Sequence, residues 1–162
     1  QMLIPADLSE ERYISGMEAL NLPAPEGTSG DWHFVNVFYT KKQEKISRVT
    51  IAGNGEKIDT NPIWGNYGVY ICDNALQERG LQAEGKISYA ANHFRAILDL
   101  LYARLKENKY PFELQRVSED FLDTNEEKNT LLEKAKEMRP YLSTEQQSLL
   151  TDWIEREMKP GW

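Results

Sequence analysis

Asp31 and His33 are the side chains in this chain best equipped for proton chemistry. Residues 31–40 alternate as a strand does, so Asp31 and His33 project from one face. A carboxylate placed there can fix the imidazole tautomer for acid–base work, or join it at a metal. The same pairing also suits a histidine at a sheet rim, satisfied by a backbone group or by Asp31 itself. A metal centre needs three or four ligands, and no spacing in the sequence supplies them, so neither a metal nor another cofactor is expected. His93 sits at the margin of a helical apolar stripe, where packing is its ordinary role. Cys72 follows a strand and precedes a helix start, a place that can lower a thiol pKa. The neighbouring Asp73 opposes that effect, and a buried structural thiol is the expectation.

A second constellation is aromatic. In Trp64-Gly65-Asn66-Tyr67-Gly68, glycine permits close approach and tryptophan offers a flat apolar face, so the segment suits a ligand wall as well as a core anchor. Together with Asp31, Trp32 and His33 it would build a pocket, provided His33 is accessible. Gly53-Asn54-Gly55-Glu56-Lys57 has the residue types of a phosphate loop without the spacing or the strand–loop–helix context, so it reads as a turn. Lys41, Lys42, Lys45 and Arg48 gather cations at a hairpin tip. Four cations on a chain of net charge −7 argue against direct nucleic-acid binding, and no nucleic-acid-binding motif accompanies them.

The negative charge is uneven. Residues 117–162 hold 11 acidic and 6 basic side chains, a net of −5, which leaves −2 for the rest. An acidic surface is repelled by phosphates and drawn to basic proteins, although solvated helix faces have the same composition. The single Cys72 precludes an intrachain disulfide and suits a reducing, cytoplasmic setting. The start of the chain lacks the basic and apolar regions of a secretory signal, and no apolar run is long enough to cross a bilayer.

The elements that must position these residues follow from periodicity and punctuation. A helix is expected over 8–20, capped by Asp7 with Glu10, and stopped by the prolines at 23 and 25. Strands are expected at 31–40, 46–52 and 67–72, followed by a short helix from Asp73 or Asn74 that Gly80 ends. Over 86–108, Ile87, Ala91, Phe94, Leu98, Leu101 and Leu105 trace one helical face. Thr124 with Glu127 opens another helix, which Pro140 breaks. Ser143 with Gln146 opens the last, running to about Met158. The expected architecture is one α+β domain over 1–162: a small antiparallel sheet of about three strands within 31–72, packed against helices, with a mainly helical half over 86–158.

Two functions fit these residues. One is a small protein-interaction or regulatory module, antitoxin- or inhibitor-like, that neutralises a basic protein partner. Trp32, Trp64, Asn66, Tyr67, Trp153 and Trp162 would be its contact residues. The other is a small enzyme or ligand-binding domain with the pocket described above.

Overall fold

A computed structural model describes residues 2–5, 7–25, 47–80, 87–118, 122 and 124–159. The expected strand 31–40 with Asp31, Trp32 and His33, the tip at Lys41, Lys42 and Lys45, and Trp162 lie outside them.

Among the described residues the fold is a four-stranded mixed sheet packed with helices, and its C-terminal half is helical. The strands of that sheet are β2 (Arg12–Ile14), β4 (Ile51–Gly53), β5 (Val69–Ile71) and β6 (Tyr89–Ala91), in the order β4-β2-β6-β5. The outer pairs β2/β4 and β5/β6 are antiparallel, and the central pair β2/β6 is parallel. Two further short strands, β1 (Met2–Leu3) and β3 (Ser47–Arg48), pair in parallel.

The expectation of about three antiparallel strands within 31–72 is therefore corrected. The two central strands come from stretches that read as helix. Tyr13 and Ile14 in β2, and Ala90 and Ala91 in β6, are neighbours in sequence on opposite strand faces, and all four are fully buried. A strand covered on both sides shows no alternation, so over three residues it resembles part of a helical stripe.

The helix expected over 8–20 is instead β2 followed by α1 (Gly16–Leu20). Gly16 at φ +69° interrupts any continuous helix, and a Cβ there would stand 3.2 Å from the Thr50 side chain. Asp7 caps nothing; it accepts from Arg12 Nη1 at 2.8 Å. The strand expected over 46–52 divides between β3 and β4, which belong to different sheets.

The helix expected over 86–108 begins later, as α4 (His93–Lys106), because Asn92 supplies the cap: its side chain accepts from the Arg95 amide at 2.9 Å. Ile87 precedes β6 and is 53% exposed, so it is not part of the stripe. Phe94, Leu98, Leu101 and Leu105 are buried as the spacing predicts. Asn108 at φ +61° closes the helix in the left-handed region that asparagine tolerates.

The remaining helices follow their punctuation. α2 (Asn61–Trp64) carries proline in its first turn, and α3 (Asp73–Glu78) ends ahead of Gly80 at φ +73°. α5 (Asn125–Lys136) and α6 (Thr144–Met158) open with complete capping boxes at Thr124/Glu127 and Ser143/Gln146. Pro140 falls in the tight turn Arg139–Tyr141 between them. α1, α5 and α6 all pack on α4. One apolar cluster runs from Ile4 through the sheet to Leu131, Leu150, Trp153 and Ile154.

Candidate functional site

The densest polar chemistry is a buried clasp centred on Arg95 and Asp99, one turn apart on α4. Both side chains are fully buried. Asp99 Oδ2 accepts from the Tyr13 hydroxyl at 2.8 Å and the Ser15 hydroxyl at 2.7 Å. Its Oδ1 accepts from the Thr60 hydroxyl at 2.5 Å and from Arg95 Nε at 3.2 Å.

The guanidinium is equally occupied. Nη1 donates to the carbonyls of Gly65 (2.7 Å) and Tyr67 (2.8 Å), and Nη2 donates to Thr60 Oγ1 (3.0 Å) and Asn61 Oδ1 (3.1 Å). Its carbon lies 5.2 Å from the centroid of the Tyr13 ring and 5.7 Å from that of Trp64.

Every guanidinium N–H has an acceptor, and the carboxylate takes four donors, so both charges are compensated where water is excluded. Burial, and secondly the charge of Asp99, push the Tyr13 phenol far above its usual pKa, so it remains a donor. With both charged side chains sealed from solvent and paired, the clasp is a structural junction. It joins β2, α4 and both ends of α2, and it fixes the backbone of the Gly65–Tyr67 turn. Ser15 illustrates the priority: it precedes α1 in the N-cap position, yet its hydroxyl serves Asp99 and not the helix end.

This clasp lies outside every expectation drawn from the sequence. Opposite charges at i and i+4, running beside Phe94 and Leu98, were the visible signal. Their partners Tyr13 and Ser15 lie 86 and 84 residues away from Asp99.

The clasp disposes the aromatic segment. Trp64 is buried, with its indole N–H directed to the Lys134 carbonyl at 3.3 Å, so it is a core anchor and not an open wall. Asn66 is exposed and donates to Glu10 Oε2 at 2.8 Å. The face of the Tyr67 ring receives the Lys134 ammonium 4.3 Å from its centroid. Tyr141, in the turn after α5, donates its hydroxyl to the Pro62 carbonyl at 3.0 Å. The Trp64–Tyr67 segment and α5 therefore form one continuous region.

On its outward side α5 borders a hollow of about 520 Å³ lined by Glu126, Asn129, Thr130, Glu133, Lys134 and Glu137. These positions step by three and four along one helix face. Lys134 is 3.7 Å from Glu137, and Glu133 accepts from Lys136 at 2.8 Å.

Trp153 requires a correction. Expected as a surface anchor, it is fully buried and donates its indole N–H to the Leu114 carbonyl at 3.1 Å. Glu157 on the same helix also turns inward, accepting from the Arg116 amide at 2.7 Å and the Ser118 hydroxyl at 2.7 Å.

His93 is buried, with Nε2 2.8 Å from the Leu22 carbonyl. Cys72 is fully buried, and burial, reinforced by Asp73, pushes its thiol pKa up to about 12. The glycine-rich segment is a strand-end turn: the Asn54 amide donates to the Glu11 carbonyl, and Gly53 sits at φ +112°. Among the described residues no three His, Cys, Asp or Glu side chains are grouped to hold a metal, and no helix is long and apolar enough to cross a membrane. Compared with protein-family models, curated proteins and solved structures, the chain gives no match.

Proposed function

We propose that this chain is a small protein-interaction or regulatory module, antitoxin- or inhibitor-like, that receives a basic segment of a protein partner on the outer face of α5 in a reducing, cytoplasmic setting. The supporting observation is the hollow along that face. Three exposed glutamates, Glu126, Glu133 and Glu137, line it, and Lys134 links it to the Tyr67 ring. Acidic side chains along a shallow, open surface steer a cationic partner and set its orientation. An aromatic face at the margin offers a cation a second contact. The buried clasp contributes rigidity, because Arg95 holds the Gly65–Tyr67 turn against α4 through backbone carbonyls, and Lys134 of α5 meets that turn at the Tyr67 ring.

The test is a comparison of captured partners. The tagged chain should retain a defined basic protein from a lysate of its source cells, and moderate salt should weaken that retention. Simultaneous reversal of Glu126, Glu133 and Glu137 to lysine should abolish it while the circular dichroism spectrum is unchanged. Undiminished capture by the reversed variant, or capture that depends on RNA, would refute the proposal.

A further inference from the structure

A second hollow opens between the turn after β4 and the C-terminal half of α4. It measures about 170 Å³ and is lined by Lys57, Ile58, Tyr102, Ala103, Lys106 and Glu107. Ile58 and Ala103 give it apolar surface, and Tyr102 adds a flat ring and a hydroxyl. Burial, with lesser contributions from Asp59 and Tyr141, raises the Tyr102 phenol pKa, so it stays protonated at neutral pH.

Two cations stand at the rim. The Lys106 ammonium lies 5.8 Å from the centroid of the Tyr102 ring and is held there by donating to the Tyr141 carbonyl at 3.1 Å. Lys57 has a side chain 90% exposed to solvent. Glu107 is the acidic lining residue. One of its oxygens accepts from Arg104 Nη1 at 3.0 Å, and the other faces the exposed Lys57 ammonium at 3.9 Å, a loose pair that an entering carboxylate displaces. Arg104 also pairs with Glu113, outside the lining.

We infer that this hollow is a binding site for a small planar carboxylate. The ligand ring stacks on Tyr102 beside Ile58 and Ala103, and its carboxylate meets Lys57 and Lys106. The volume suits a single ring with its acid group, and the lining supplies an aromatic face, apolar contact and charge-assisted donors. The site shares no lining residue with the α5 hollow, so it stands or falls independently of the proposed partner surface.

Benzoate is the probe, titrated into the full chain and followed by amide nitrogen–proton correlation spectra. Saturable shifts are expected at Ile58, Ala103, Lys106 and Glu107, with a Kd of about 1 mM, appropriate to so few ligand atoms. Lys57→Gln and Lys106→Gln should each weaken binding about three- to tenfold, as loss of one charge-assisted contact does. Tyr102→Leu should remove binding while the remaining spectrum keeps its native dispersion. Non-saturating shifts, shifts scattered over other lysines, an equal response to benzylammonium, or wild-type binding by both glutamine variants would each overturn the site.

Discussion

Replacing Asp99 with alanine tests whether the clasp is a structural unit. The substitution leaves the fully buried Arg95 cation without its carboxylate, and it strips the Tyr13, Ser15 and Thr60 hydroxyls of their common acceptor. Breaking a buried ion pair by removing one partner costs about 3–5 kcal/mol. Each hydroxyl left unsatisfied adds about 1–3 kcal/mol, less wherever relaxation or water finds it a new partner. A loss of about 4–6 kcal/mol is therefore expected, against a total stability of about 5–15 kcal/mol for an ordinary domain.

Urea unfolding followed by fluorescence measures this loss, since Trp64 and Trp153 are both buried. The double variant Arg95→Met/Asp99→Leu removes both charges together. If the cost of the single change lies in an uncompensated charge, the double variant should lose less than the sum of Arg95→Met and Asp99→Leu, by about 0.5–3 kcal/mol. A loss below about 1 kcal/mol for Asp99→Ala, or strict additivity in the double variant, would refute the clasp as the keystone of the sheet–helix junction.

The Cys72 thiol, with its pKa pushed up to about 12 by burial and Asp73, should resist thiol reagents in the native state at neutral pH and react fully in urea. The unfolded thiol ionises near pH 9, whereas the folded one does not, so its contribution is intact below that range and falls as pH rises towards 12; Cys72→Ala should flatten this alkaline loss in pH-dependent unfolding. At Gly53 a Cβ would sit 1.9 Å from the Glu11 carbonyl oxygen, whereas at Gly55 nothing lies within 4 Å. Gly53→Ala should therefore destabilise by more than the about 1–2 kcal/mol of left-handed strain expected for Gly55→Ala, a ranking that thermal unfolding decides. Thr124→Ala and Ser143→Ala should each cost about 0.5–2 kcal/mol and add when combined, because each opens a different helix; calorimetric unfolding checks both magnitude and additivity.

What was legible in the sequence was local. The capping boxes placed the starts of α5 and α6, and Gly80 placed the end of α3, because a helix terminus is settled by side chains within a few residues of it. The buried thiol of Cys72 and the turn at Gly53 were legible for the same reason. The central strands were not. Ala90 and Ala91 favour helix by propensity, but their small side chains fit the middle of a sheet covered on both faces, and only tertiary packing reveals that preference. Nor could spacing reveal that Asp99 draws donors from β2, from Ser15 just beyond it and from the residue before α2.

The charge of the helical half shows how a count differs from a surface. Of the acidic side chains that give residues 117–162 their net −5, Glu157 is consumed inside the fold as an acceptor for the turn at 116–118. Glu127 is spent on the N-cap of α5, and Asp152 pairs with Arg156 one turn away. Glu157 and Glu127 contribute little to a field felt by a partner, because their oxygens face backbone or hydroxyl donors; Asp152, like Glu133 beside Lys136 at 2.8 Å, is partly compensated by a surface cation. Glu126, Glu133 and Glu137 differ in direction more than in number. They are exposed along one face of α5, bordering a hollow, and the cation among them is turned partly onto Tyr67. In the proposed function, direction, and not the total of −7, makes α5 the face on which a basic partner would be discriminated. Reversing those three residues should therefore alter binding far more than reversing Glu145, Asp152 and Glu155 on α6, although the change in net charge is identical.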